Sequence, residues 1–133
     1  MFLSFGENCL TDNILERYHI KSFSTPFSSG RSNVEYILQI EKDRYKDFVN
    51  PQYLEYACVD GHRVVRLNRY SQLDNTYNRL HMMGFAFTHH DVLGETATRE
   101  KLKLRASRMM KLKTEKSIFF ITADQTPKQM NKC

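Results

Sequence analysis

The chain opens on a short apolar run, Phe2 to Phe5, that stops at Gly6 and reads as a buried strand. Asn8 is placed to cap a following helix with Leu10, Ile14 and Tyr18 on one face, ending near His19 or Ile20. Ser22 to Arg31 is rich in Ser, Thr, Pro and Gly and reads as a loop or a short extended segment. Ser32 or Asn33 then caps a second helix whose period is set by Val34, Ile37, Leu38 and Glu41, with Tyr45 and Phe48 packing behind it. Asn50-Pro51 marks a break. Two β-prone runs, Tyr53 to Val59 and Arg63 to Leu67, flank Asp60-Gly61, a strong hairpin signal. Asp74 to Tyr77 reads as loop, and Met83 to Thr88 as a strand ending at His89-His90-Asp91. Thr96 or Thr98 starts a long helix with Leu102, Ala106, Met109 and Met110 as its apolar stripe. Ile118 to Thr122 is β-branched and aromatic and reads as a last strand, and the polar tail from about Ala123 to Cys133 as loosely ordered.

Strands interleaved with helices predict a single α/β domain over residues 1–133. Its first and last strands are short and uniformly apolar, as central parallel strands are. The expected architecture is therefore three-layer, with a mostly parallel central sheet and an added β-hairpin. Sites in such sheets lie beyond the carboxyl ends of the strands. Gly6 to Cys9, Thr88 to Asp91 and Thr122 to Asp124 all follow predicted strands, so neighbouring strands would bring the three loops to one cleft.

Composition fits one soluble domain: 133 residues, 41% apolar and 26% charged. No run approaches the length of a membrane span. The first residues lack the basic and apolar regions of a signal peptide, which points to the cytoplasm. Cys9, Cys58 and Cys133 are odd in number and widely spaced, so reduced thiols are expected rather than a disulfide framework or a metal site. The net charge of +5 is concentrated in one stretch. Arg99, Lys101, Lys103, Arg105, Arg108, Lys111, Lys113 and Lys116 face only Glu100 and Glu115 there. This is either a solvated helix face or a surface for phosphates or an acidic partner.

Cys9 is the leading candidate for chemistry. A thiol at the first turn of a helix meets free backbone N–H groups and the positive end of the helix dipole, which favour the thiolate. Gly6 permits a tight turn and leaves room for a substrate beside Glu7, and Asn8 or backbone N–H groups can hold an oxyanion. The competing reading is a small buried apolar residue. A cysteine nucleophile works with a histidine that takes its proton, and His89 and His90 supply the pair. Strand alternation puts His89 on the side of Phe85 and Phe87 and His90 on the side of Gly84, Ala86 and Thr88. Which side faces the cleft stays open, with His90 preferred because it lies beyond the strand proper. Asp91 or Asp124 can orient the imidazole. His-His-Asp lacks the spacing of a closed metal site, so neither metal nor cofactor is expected.

The opening Leu3-Ser4-Phe5-Gly6-Glu7-Asn8-Cys9 resembles the start of a mostly bacterial domain family catalogued as papain-like cysteine peptidases. Its members carry a hydrophobic strand followed by G-x-N-C, then a S-x-P-F motif like Ser24-Thr25-Pro26-Phe27, then an aromatic strand ending in histidine like Phe85-Ala86-Phe87-Thr88-His89-His90. A basic helix and an apolar strand follow, like Lys103 to Met109 and Ile118 to Thr122. The resemblance implies a cysteine–histidine hydrolase or transferase with Cys9 as nucleophile and His89 or His90 as base. It also implies an α+β papain-like scaffold, the alternative to the parallel sheet. One departure stands out: the family often has Asp-Trp after Pro-Phe, whereas this chain has Ser28-Ser29.

Three function classes follow. The first is an enzyme acting on a peptide or small-molecule acyl substrate through Cys9 and a histidine. The second is a non-catalytic binding domain in which Arg105 and Arg108, with Arg31 and Arg66, recognise phosphate, a nucleotide sugar, nucleic acid or an acidic partner. Because basic residues encircle that helix rather than stripe it, nucleic acid is not favoured. The third is a structural or self-associating domain, and nothing in the sequence specifies an oligomeric state.

Overall fold

The computed structural model describes residues 2–4, 9–32, 34–59, 61–70, 84–112 and 118–120. In chain order the elements are β1 (Phe2–Ser4), α1 (Leu10–Arg17), β2 (Gly30–Arg31), α2 (Val34–Lys42), β3 (Leu54–Val59), β4 (His62–Leu67), β5 (Phe85–Phe87), α3 (Thr96–Lys111) and β6 (Ile118–Phe120). A short 3₁₀ turn at Pro51–Tyr53 precedes β3, capped by the Asn50 side chain accepting from the Gln52 N–H at 3.0 Å. The predicted loop at Asp74 to Tyr77, the residues Met83, Ile121 and Thr122, and the tail lie outside the described residues.

The main sheet is antiparallel throughout, in the order β2-β5-β4-β3. This corrects the expectation of a mostly parallel three-layer sheet. β1 and β6 do pair in parallel, with Leu3 opposite Phe119, but as a separate two-stranded unit. The error has a physical source: uniform apolarity reports burial on both faces, not the direction of pairing. β5 is the demonstration, since Phe85, Ala86 and Phe87 are all buried between β2 and β4 in an antiparallel sheet. The hairpin forms as predicted. Gly61 takes the positive φ of 79° that a tight turn needs and sets Cys58 opposite Arg63 across β3 and β4.

The core lies on the face of the sheet that carries Phe85 and Phe87. Phe27, Phe48, Phe85 and Phe87 stack there, with ring centroids 4.9 to 6.3 Å apart. Tyr36 and Ile37 of α2 and Leu102, Ala106 and Met109 of α3 complete it. Gly30 lets this packing close: a Cβ there would sit 2.1 Å from Cζ of Phe85. On the opposite face Ala57, Val64 and Ala86 form a small second cluster.

Helix α1 faces the other way from its predicted orientation. Leu10, Ile14 and Tyr18 are 54%, 42% and 70% exposed, whereas Thr11, Asp12 and Leu15 are buried. The helix packs on β1, and its inward polar residue is accommodated by an ion pair, Lys21 Nζ to Asp12 Oδ2 at 2.8 Å. A paired charge can sit inside where an unpaired one cannot.

Candidate active site

Cys9 stands at the N-cap of α1, half-buried, with its carbonyl accepting the first helical bond from Asn13 at 3.0 Å. It is a free cysteine. Cys58, on β3, is disulfide-bonded, which departs from the expectation that all three thiols are reduced. Gly6, Glu7 and Asn8, which lead into Cys9, and Asp124 lie outside the described residues.

The turn Thr25–Ser29 ties the end of β1 to the segment after β5. Thr25 Oγ1 donates to the carbonyl of Ser4, the last residue of β1, at 2.8 Å. The turn is braced internally: Ser28 Oγ accepts from the Thr25 N–H at 2.8 Å. Its far end feeds directly into β2, where Gly30 pairs with Phe87 of β5. Just past that pairing Thr88 Oγ1 donates to the Ser29 carbonyl at 2.8 Å, and His90 Nε2 meets Ser29 Oγ at 3.1 Å. One five-residue turn therefore joins the end of β1 to the segment after β5 that holds Thr88 and His90.

The two histidines differ. His89 is exposed, whereas His90 is half-buried and held by Ser29. Burial pushes the His90 pKa down, and the charges of Arg105, Lys101 and His89 push in the same direction against a smaller opposing effect of Glu95. His90 is thus biased toward the neutral imidazole, the form that accepts a proton. Both histidines line a polar cavity of about 240 Å³ with Tyr56, Arg63, Thr88 and Asp91. A larger cavity of about 590 Å³ lies between the Tyr45–Pro51 segment and α3, and none of the candidate residues lines it.

Asp91 is occupied otherwise than as an imidazole partner. Its Oδ1 accepts from the Gly94 N–H at 2.9 Å, and Tyr56 Oη donates to the same carboxylate at 3.1 Å. The hydroxyl that meets the imidazole is that of Ser29, which by sequence alone is one polar residue of a loop. Its signal in the sequence is the position of Ser29 directly after the Thr25-Pro26-Phe27-Ser28 turn and before β2.

The arginines of the predicted basic surface differ in placement, and Arg66 pairs with Glu55 across β3 and β4 at 3.2 Å. Arg31 is half-buried on β2, Arg108 is exposed, and Arg105 is buried on the inward side of α3 at 9% exposure. Nη1 of Arg105 has no hydrogen-bond partner among the described residues. Burial lowers its pKa, with Asp12 opposing and Arg108 reinforcing the shift. Among the described residues no group of three His, Cys, Asp or Glu side chains is placed to hold a metal ion, and no helix is long and apolar enough to cross a membrane.

A family model described as a putative papain-like cysteine peptidase (DUF1796) matches residues 1–132. The chain belongs to this family. No curated protein and no solved structure matches the chain significantly. In this chain Ser28 braces the turn and Ser29 meets the His90 imidazole. Cys9 stands at the start of a helix, and His90 lies three residues beyond a strand of the antiparallel sheet.

Proposed function

We propose that the protein is a cysteine-nucleophile hydrolase or acyl transferase in which Cys9 and His90 work as a pair. The observation that carries this reading is the Ser29–His90 contact at 3.1 Å, made from a turn tied to the end of β1. It occupies Nε2 of His90 and so reserves Nδ1 for the reacting proton. In the tautomer that a base requires, Nε2–H donates to Ser29 Oγ and Nδ1 carries the lone pair.

The chemistry follows from that arrangement. Cys9 Sγ attacks an acyl carbon while its proton passes to Nδ1 of His90. The oxyanion is assigned to Asn8 and the backbone at the start of α1. The C–N or C–O bond then breaks as His90 returns the proton to the leaving group, leaving a thioester on Cys9. Water, or an acceptor amine or alcohol, attacks that thioester as His90 takes its proton, and the thiol is regenerated. Membership of a family described as cysteine peptidases supports an amide as the bond acted on.

The test is the rate at which iodoacetamide alkylates Cys9 across pH, with the labelled peptide assigned by mass spectrometry. The wild-type thiol is expected to react at least about 10-fold faster at neutral pH than glutathione, and His90→Ala to remove that advantage. A Cys9 that reacts like glutathione, or a His90→Ala protein that keeps the wild-type profile, contradicts the pair.

A further inference from the structure

The cavity that holds both histidines has a charged wall that the proposed chemistry leaves unused. Alternate residues of a strand share a face, so Arg63 lies with Val65 on the side of the sheet that carries Phe87. Tyr56, opposite Val65 on β3, lies on the same side and is the diagonal neighbour of Arg63. The β4–β5 ladder ends where Val65 meets Phe87, and the chain bends at Thr88 and His89. Arg63 therefore stands beyond the aromatic core and is exposed. Its guanidinium is nevertheless held, with Cζ 4.3 Å from the centroid of the Tyr56 ring. The Tyr56 hydroxyl donates to Asp91 at 3.1 Å, and Asp91 in turn accepts from the Gly94 N–H at 2.9 Å.

A cation–π contact restrains a guanidinium without neutralising it, and among the described residues no carboxylate pairs with Arg63. Its N–H donors are open to an acceptor in the cavity that it lines with Thr88, His89 and His90. Asp91 lines the same cavity, but its carboxylate is engaged by Tyr56 and Gly94. The unmet group is thus a cation, and the complementary ligand group is an oxyanion. The Asp91 charge close by favours a monoanion over a doubly charged phosphate, and a planar carboxylate matches the guanidinium fork. At about 240 Å³ the cavity falls below the roughly 300–1,000 Å³ of pockets that enclose a whole ligand, so it suits one polar group of a larger molecule.

We propose that Arg63 is the specificity-determining residue of this site, binding a carboxylate that the acyl substrate presents beside His90. That carboxylate is either the free C-terminus of a short peptide or the side chain of an acidic residue. The inference rests on the Cys9–His90 reading and extends it to a substrate class.

The Cε1–H NMR signal of His90, assigned by its loss in His90→Ala, reads binding without a known substrate. N-acetyl-alanine carries only a terminal carboxylate, N-acetyl-aspartic acid α-amide only a side-chain one, and N-acetyl-alaninamide none. At constant ionic strength at least one of the acids should shift the signal saturably, with a Kd on the order of 1–10 mM for a single anchored group, and the uncharged amide should not. Whichever acid binds identifies the source of the carboxylate. Arg63→Gln should weaken that binding about 10-fold, the lower end for loss of a charge-assisted hydrogen bond. Arg63→Lys, which keeps the charge and loses the fork, should fall between the two. Tyr56→Leu, which removes the ring that holds the guanidinium, should cost about 3-fold. Lys111→Gln, which removes an exposed charge from the last residue of α3, should leave binding unchanged. No shift with either acid, or an equal shift with the amide, overturns the proposal even if Arg63→Gln fails to fold, as does binding indifferent to residue 63. Inorganic phosphate that binds more tightly than either acid contradicts the choice of a carboxylate. The acid that binds should also slow iodoacetamide at Cys9 in the wild type and not in Arg63→Gln, and binding without that protection removes Arg63 from substrate recognition. Failure of the Cys9–His90 reading looks different: Cys9 then alkylates like glutathione and ignores His90→Ala, while the NMR titration still responds to Arg63.

Discussion

Replacing Ser29 with alanine removes one hydroxyl and leaves the rest of its turn in place. The Ser29 carbonyl still accepts from Thr88 Oγ1 at 2.8 Å, and Thr25 still ties the turn to Ser4 at 2.8 Å. What is lost is the 3.1 Å contact with Nε2 of His90. A neutral hydrogen bond of this kind contributes about 0.5 to 1.5 kcal/mol, equivalent to about 2- to 12-fold in a rate if the whole of it holds the imidazole in its working orientation. His90 is only half-buried, so water can partly replace the hydroxyl, which puts the expected loss near 3-fold. Cys9 alkylation by iodoacetamide at pH 7 reads this loss, and calorimetric melting of the same samples reads stability. Ser29→Ala should slow alkylation by about 3-fold with a melting loss of no more than about 1 kcal/mol. Ser29→Thr, which keeps a hydroxyl, should recover most of the rate. An alanine variant that alkylates as fast as wild type, while His90→Ala is slow, would refute the positioning role of Ser29 and leave the pair intact.

Other consequences follow from the same contacts. An NMR titration should place His90 below an ordinary histidine, since burial and the charges of Arg105, Lys101 and His89 all oppose its protonation. The unfolded chain then binds the proton more readily than the folded one, so folding stability should hold above the unfolded pKa and fall as pH drops through the folded value, less so in His90→Asn. Gly30→Ala should cost about 1 to 3 kcal/mol in urea unfolding, because its Cβ would be driven to 2.1 Å from Phe85 Cζ. Asp91→Ala should lower stability by about 1 kcal/mol through lost bonds to Gly94 and Tyr56 while leaving the pH profile of Cys9 alkylation in shape. A flattened profile would return Asp91 to the role of imidazole partner.

Much of this arrangement is written locally and was legible. Asp60-Gly61 between two β-prone runs dictates a hairpin because Gly61 supplies the positive φ, and the stripe of Leu102, Ala106 and Met109 fixes the inner face of α3. Other features were hidden for identifiable reasons. In α1 the period is right but the face is wrong: Leu10, Ile14 and Tyr18 suggest an apolar side, while packing on β1 buries Thr11, Asp12 and Leu15. Lys21, nine residues after Asp12, is what allows that choice, and no pattern within the helix reveals it. The parallel sheet was inferred from apolar runs, and apolarity carries no information on strand direction. Charge alone puts Arg105 on the surface, whereas the fold buries it. Ser29 carries no local signal beyond that of a loop, because its partner His90 lies 61 residues away.

The central claim is that the Cys9 sulfur and the His90 imidazole share one site, and 1,3-dibromoacetone measures that directly by bridging a thiol and an imidazole nitrogen through three carbons. After treatment at neutral pH and digestion, the account predicts a Cys9 peptide covalently joined to the His90 peptide through the ring nitrogen that Ser29 does not hold. Cys9 alkylated at one end only, or joined to a histidine other than His90, contradicts it.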